Sequence, residues 1–203
     1  MNTEIRDIKR KDYKKAIKFA IDGMHFNKYM ESPVLLNLYG RYFWYLEINR
    51  ATQIFAAYTD GKFAGVLLAE IKGEKRKHNN LFEKTYVKIW EKLQSLVSED
   101  GAGIYEETAK EQFAHYAQSH NPDGEIIFLA ADPESKIKGI GTALLNALEE
   151  KEKGKELYLY TDDACTYQFY EHRGFERTEE KEIEMKLPTG NIKLNCFIYR
   201  KRM

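Results

Sequence analysis

The 203-residue sequence predicts an α/β (α+β) fold, and three observations carry that reading. QIFAAY and KFAGVLLAEI are strand-like runs joined at Asp60 and Gly61, and Asp-Gly supplies the positive φ angles of a tight β-hairpin. Residues 125–150, EIIFLAADPESKIKGIGTALLNALEE, pass from an apolar strand through a glycine-bearing loop into an amphipathic helix. Around these units, other segments repeat apolar residues at helical spacing, and the C-terminus alternates with the period of strands.

In chain order, Ile5 to Ile8 suits a short strand, and Lys11 to about Phe26 sets Tyr13, Ile17, Ala20, Ile21 and Met24 at helical spacing. Ser32 and Pro33 read as the N-cap and first position of an aromatic-rich helix with Leu35, Leu38, Tyr42 and Leu46 along one face. After the hairpin, a basic stretch from Lys72 to Asn80 leads to a helix with Phe82, Tyr86, Ile89, Trp90, Leu93 and Val97 in register. SEDGAG breaks it, and a further helix from about Ile104 to Gln118 carries Tyr105, Ala109, Phe113 and Ala117 on one stripe. Leu157 to Tyr160 reads as a strand, Thr166 to His172 as a short helix and Gly174 as its stop. Ile183, Met185 and Leu187, then Ile192, Leu194, Cys196 and Ile198, alternate about a turn at Pro188 to Asn191. The chain is expected to form one domain, residues 1–203, in which 72–124 is a helical insertion, an accessory packing layer ahead of a substrate lid or dimer surface.

Thirty-two basic residues balance 32 acidic ones, so no global field draws nucleic acid or anionic membrane, and neither partner is expected. The N-terminus has no apolar leader and no later run suits a membrane span, which makes a cytoplasmic protein the expectation. Cys165 and Cys196 lack CxxC spacing and the five histidines lack ligand spacing, so no disulfide framework and no metal site are expected. Cys165 reads as a small buried thiol rather than a nucleophile. Lys72, Lys75, Arg76 and Lys77 read as a solvated loop.

The loop Lys136–Gly141, KxxGxG, opens a helix whose first N–H groups are unpaired, and glycines let a bulky anion approach them. A P-loop needs GxxxxGK[ST], which is absent, and the dinucleotide pattern GxGxxG is broken by Leu144. The segment resembles the [QR]xxGx[GA] signature of the GCN5-related N-acetyltransferases, with Lys136 in place of Gln or Arg, and Ala131-Asp132-Pro133 is similar to the family's link from strand to loop. YLYTDDACTYQFYEHRGF, residues 158–175, resembles the family's next segment: Tyr170, Gly174 and Phe175 match, and Asp163 stands where Asn is frequent. The resemblance implies a mixed, mainly antiparallel sheet flanked by helices, with the stretch of about fifty residues from Lys72 to Gly124 as a departure from the family pattern.

It also implies transfer of an acetyl group from acetyl-CoA to a primary amine of a small molecule or peptide by direct attack. Lys136, Lys138 and the backbone of Gly139, Ile140, Gly141 and Thr142 would then hold the pyrophosphate. The backbone of Leu129, Ala130 and Ala131 would pair with the pantetheine, and a bulge in that strand would aim an N–H at the thioester oxygen. Tyr170 is the candidate general acid for the leaving thiolate. Glu125 and Glu70 are candidate bases, each also readable as a solvated strand-end residue. Asp163 reads equally as a cofactor or water ligand and as an N-cap of the 166–172 helix. The competing class is a non-catalytic acyl-CoA-binding or regulatory module with the same fold, and a homodimer paired through the C-terminal hairpin is left open.

Overall fold

The computed structural model describes residues 2–97, 102–135, 137–187 and 190–203. Its strands are β1 (Thr3–Arg6), β2 (Gln53–Thr59), β3 (Lys62–Ile71), β4 (Gly124–Ala131), β5 (Glu156–Asp162), β6 (Glu176–Leu187) and β7 (Gly190–Arg202). They form one sheet in the order β1-β2-β3-β4-β5-β7-β6, antiparallel throughout except for the β4–β5 pair. The expected mixed, mainly antiparallel sheet is therefore present. Asp60 and Gly61 take φ 47° and 77°, so Thr59 lies opposite Lys62 as a tight hairpin requires. The C-terminal hairpin is longer than the alternating pattern suggested, and residues 188 and 189 of its expected turn lie outside the described residues.

Helices α1 (Tyr13–Gly23) and α2 (Pro33–Arg50) cover one face, where Phe19, Ala20, Trp44 and Ile48 pack against Val66, Leu68 and Phe128. Helix α5 (Ile140–Lys151) covers the other, where Leu144, Leu145 and Leu148 pack with Leu67, Leu157 and Leu159. β3 is covered on both faces, which explains its unbroken apolar run FAGVLLA in place of alternation. The one-turn helix α6 (Gln168–Glu171) is shorter than expected and is followed by Gly174 at φ 77°.

Three helical faces differ from expectation. In α2 the buried side is Gly40, Trp44 and Ile48, while Leu35 is exposed, because the helix is sandwiched between α1 and α3 (Leu81–Val97) and has no single apolar stripe. In α3, Phe82, Ile89 and Leu93 point outward, while Glu83 and Val87 are buried. The helix is rolled so that Glu83 accepts from Asn49 Nδ2 at 3.0 Å and meets His78 Nε2 at 2.7 Å. Tyr86 and Trp90 do face α2, through a Tyr86 hydroxyl bond to the Leu38 carbonyl and a stacked contact with Tyr42. In α4 (Ala102–Tyr116), Thr108, Gln112 and a fully buried Tyr116 take the inner side, with Tyr105, Ala109 and Phe113 half-buried beside them and Ala117, past the helix end, exposed. This helix lies over β6 and β7, donating from Gln112 to the Cys196 carbonyl at 2.8 Å and from Tyr116 to Glu156 at 3.0 Å. Part of the expected break between α3 and α4, residues 98–101, lies outside the described residues. No helix among the described residues is long and apolar enough to cross a membrane.

Gly65 in β3 fixes how closely α5 approaches the sheet. A Cβ there would meet Ile140 Cγ2 at 2.7 Å and the Ala130 carbonyl oxygen at 2.9 Å, so no side chain fits without moving the start of α5. Gly65→Ala is expected to destabilise the protein by about 1–3 kcal/mol through overpacking, read as a lower urea midpoint at an unchanged slope; an unchanged midpoint would mean that α5 gives way freely.

Candidate active site

β4 and β5 are hydrogen-bonded only at their first residues, with Gly124 opposite Leu157 and Glu125 opposite Tyr158. Beyond that point β4 stays with β3 as far as Ala131 opposite Gly65, and β5 stays with β7 as far as Asp162 opposite Cys196. A bulge accompanies the parting. Leu68 opposes Phe128 and Ala69 opposes Ile126, which leaves Ile127 as an extra residue in β4. Such a residue bends its strand and increases its twist. The edge of Leu129, Ala130 and Ala131 that faces β5 has no strand partner among the described residues, and buried backbone polar groups demand one. The result is a wedge suited to an extended ligand with amide groups of its own.

Helix α5 starts at the mouth of this wedge. Its N-cap, Gly139, has φ 86° and no side-chain cap, so a conformation that only glycine adopts cheaply leaves the first-turn N–H groups uncapped by a side chain. Ile140 anchors this turn in the core, and a Cβ on Gly141 would lie 3.4 Å from the Phe169 ring. Lys138 is exposed beside the loop, whereas Lys136 lies outside the described residues. Arg173, which sequence reasoning passed over, donates to Thr142 Oγ1 and stands 5.7 Å from the Phe169 ring centroid. It adds a cation at the helix start, and the available signal was its place inside the YEHRGF motif.

Tyr170 lies half-buried beside the glycine loop. Its ring contacts Phe169, Phe175 and Tyr199, with centroids 5.4, 5.5 and 6.4 Å away. Burial, and to a lesser degree Cys165, holds its phenol well above the usual tyrosine value, so it stays protonated at any working pH. Among the described residues its hydroxyl has no hydrogen-bond partner. The Cys165 thiol, pushed up to about 12 by burial and Asp162, is not a nucleophile at neutral pH.

Asp163 does not cap the following helix. Its carboxylate accepts from the backbone and side-chain nitrogens of Asn195 at 3.1 and 2.9 Å, and the helix N-cap is Tyr167. Asp162 makes the turn instead, with Oδ1 accepting from the N–H groups of Ala164 and Cys165 at 2.9 and 3.2 Å. Asp162, the last residue of β5, is buried, and Asp163 just past the strand is exposed.

Glu125 and Glu70 are register partners at the closed end of the wedge, and they are not solvated strand ends. Arg50, at the end of α2, donates to Glu70 from Nε at 3.0 Å, to Glu125 from Nη2 at 2.6 Å and to Glu47 from Nη1 at 3.2 Å. Tyr158 also donates to Glu125, at 3.1 Å. Burial pushes the Glu47 carboxyl up to about 7 against the pull of Arg50. In the basic stretch, Arg76 and Lys77 face Glu70 and Asp7 at 3.9 and 3.7 Å.

Comparison with known proteins places this geometry in context. No curated protein sequence matches the chain significantly. Among solved structures, the PaiA N-acetyltransferase from Thermoplasma acidophilum in complex with coenzyme A is 18% identical with a TM-score of 0.55, each chain fully covered. A histone acetyltransferase HPA2 and related acetyltransferase from Corynebacterium glutamicum is 14% identical with a TM-score of 0.59, over 100% of this chain and 97% of the other. A ribosomal-protein-alanine N-acetyltransferase from Brucella melitensis is 15% identical with a TM-score of 0.55, over 98% and 99%. These share the fold. Residues 23–175, which contain both motifs and the wedge, match the Acetyltransferase (GNAT) family, and the chain therefore belongs to that family, whose acyl donor is acetyl-CoA.

Proposed function

We propose that the protein is an acetyl-CoA-dependent N-acetyltransferase that acetylates the primary amine of a small molecule or peptide by direct attack. The observation that carries this reading is the protonated Tyr170, whose hydroxyl has no hydrogen-bond partner among the described residues, in a fold where β4 parts from β5 and α5 starts without a side-chain cap. Bound acetyl-CoA supplies the acyl group. The β4 edge at Leu129, Ala130 and Ala131 pairs with its amide-bearing arm. The N–H groups of Gly139, Ile140, Gly141 and Thr142, with Lys136, Lys138 and Arg173, hold its phosphates. The bulge at Ile127 directs a backbone N–H toward the thioester oxygen, and Tyr170 gives its proton to the departing sulfur.

Glu125 and Glu70 act here chiefly through Arg50, as pins of the wedge. A carboxylate already paired with a guanidinium is a weak recipient for a further proton. A cytoplasmic location accords with two cysteines that are both free. Asp163, tied to Asn195, supports the turn that follows β5.

Tyr170→Phe is expected to lower turnover about 10²-fold or more while acetyl-CoA affinity changes little, measured by free-thiol release and calorimetry. An unchanged rate would remove Tyr170 from the acid role. Release of no thiol across a broad amine panel by a protein that binds CoA would favour a non-catalytic CoA-binding module.

Gly139→Ala forces a side chain into the left-handed region at a cost of about 1–2 kcal/mol. Weaker CoA binding, by roughly 5- to 30-fold, is the expected calorimetric result. Full affinity would show that the loop reaches the phosphates in another conformation.

A further inference from the structure

Tyr170 sits on α6, a helix of one turn, and a helix that short has no stability of its own. The placement of its hydroxyl is therefore set by what holds α6 to the sheet. The backbone closes on itself just after the tyrosine, whose carbonyl accepts from the N–H groups of Arg173 and Phe175 at 2.9 and 3.0 Å. The next residue, Glu171, ties the helix to the terminal hairpin. Its Oε1 accepts from the hydroxyl of Tyr199 on β7 at 2.6 Å and from Nη2 of Arg177 on β6 at 2.7 Å. Arg177 also donates from Nε to the same Tyr199 hydroxyl at 2.8 Å, which closes a triangle of three side chains from α6, β6 and β7.

The triangle has little freedom. The Arg177 guanidinium carbon lies 4.2 Å from the Phe197 ring centroid and 5.4 Å from those of Tyr167 and Tyr199, and Nη1 donates to Glu180 at 3.0 Å. A guanidinium engaged at Nε, Nη1 and Nη2 and stacked on rings has a fixed geometry that an isolated surface ion pair lacks. Arg177 and Tyr199 are register partners, and the next pair is Glu179 with Ile198, which leaves Thr178 as the extra residue of a bulge. Such a bulge re-aims the side chains beside it. Tyr199 is fully buried, and its ring lies 6.4 Å from that of Tyr170 at an interplanar angle of 32°. The Phe175 ring, 5.5 Å away at 72°, meets Tyr170 edge to face. The exit of the helix carries a second tie to β7, from Lys201 Nζ to the Arg173 carbonyl at 2.6 Å. The phenol that binds Glu171 thus belongs to a side chain that also packs against the Tyr170 ring.

Resting on the transferase reading, we infer that Glu171 and Arg177 are positioning residues for the proposed acid: with Tyr199 they fix the tilt of α6 and hold the Tyr170 hydroxyl toward the leaving sulfur of acetyl-CoA. Neither gives or takes a proton in the reaction. Glu171 is exposed at the last position of α6, where alanine would serve the helix as well, so its carboxylate acts through the orientation it imposes. Displacing a reacting group by about 1 Å is enough to cost roughly 10²-fold in rate.

Isotope-edited NMR of the protein labelled at tyrosine Cζ reads this placement without turnover, with Tyr170 identified by the signal missing from Tyr170→Phe. Coenzyme A is expected to move the Tyr170 signal in the unmodified protein and in Glu171→Gln, which keeps an acceptor oxygen for Tyr199 and Arg177. In Glu171→Ala the signal is expected to stay nearly still, while calorimetric CoA affinity remains within about twofold. Thiol release from acetyl-CoA with butylamine and glycinamide is expected to show kcat lower by about 10- to 100-fold in Glu171→Ala at little-changed KM, near-normal kcat in Glu171→Gln, and no further loss when Glu171→Ala is added to Tyr170→Phe. A Tyr170 signal indifferent to coenzyme A in the unmodified protein, or moved equally in Glu171→Ala, would overturn the assignment, as would equal kinetic losses with and without the Tyr170 hydroxyl. A Glu171-dependent signal without thiol release would support the positioning while overturning the transferase reading.

Discussion

The parting of β4 from β5 after Glu125 and Tyr158 is the constraint on which the rest of the molecule depends. It divides the sheet into β1-β2-β3-β4 and β5-β7-β6, each antiparallel within itself and joined by two register pairs. Left alone, a seam that short would hinge. The core prevents this, because Leu144, Leu145 and Leu148 of α5 pack against Leu67 of one half and Leu157 and Leu159 of the other. Gly65 lets the start of the same helix settle against β3, so the strut that holds the wedge open also brings its uncapped first-turn N–H groups to the mouth. Packing and function are thus two uses of one helix.

Electrostatics secures the closed end. Arg50 reaches from α2 to Glu70 on β3 and Glu125 on β4, and Tyr158 on β5 completes the link across the seam. A guanidinium with a forked donor set can hold carboxylates from different elements at once, which an ammonium could not do with the same geometry. A chain of zero formal net charge thereby concentrates charge locally: Glu47, Glu70 and Glu125 share Arg50, with Arg76 also 3.9 Å from Glu70. Global neutrality excluded large polyanionic partners as an expectation, and it said nothing about the sign of an interior surface.

Much of the fold was legible in the sequence where local chemistry and tertiary structure agree. Asp60-Gly61 could only turn, Gly139 was needed at positive φ, and Ser32-Pro33 started a helix whose Leu35 N–H meets Ser32 Oγ at 3.4 Å. The faces of α2 and α3 were not legible, because aromatic residues surround α2 and because Glu83, a polar residue, takes an interior place that periodicity assigns to apolar ones. The bulge at Ile127 was unreadable for a different reason: it is a property of register between two strands, and EIIFLAA alone does not state which residue lacks a partner. Asp163 drew attention through its motif position, yet the turn after β5 is made by the buried Asp162, one residue earlier, while Asp163 is tied to Asn195.

α4 packs over the face of β5 opposite α5. It supplies Gln112 on the Cys196 carbonyl and Phe113 against Tyr158. The glycine loop and Tyr170, by contrast, belong to the two motifs that resemble the family. Shared fold at under 20% identity transfers the fold alone and is silent on the acceptor. The acceptor of a family member depends on residues outside those motifs, and in this chain Phe113 and Tyr116 of α4, packed against Tyr158, shape the face of β5 opposite α5.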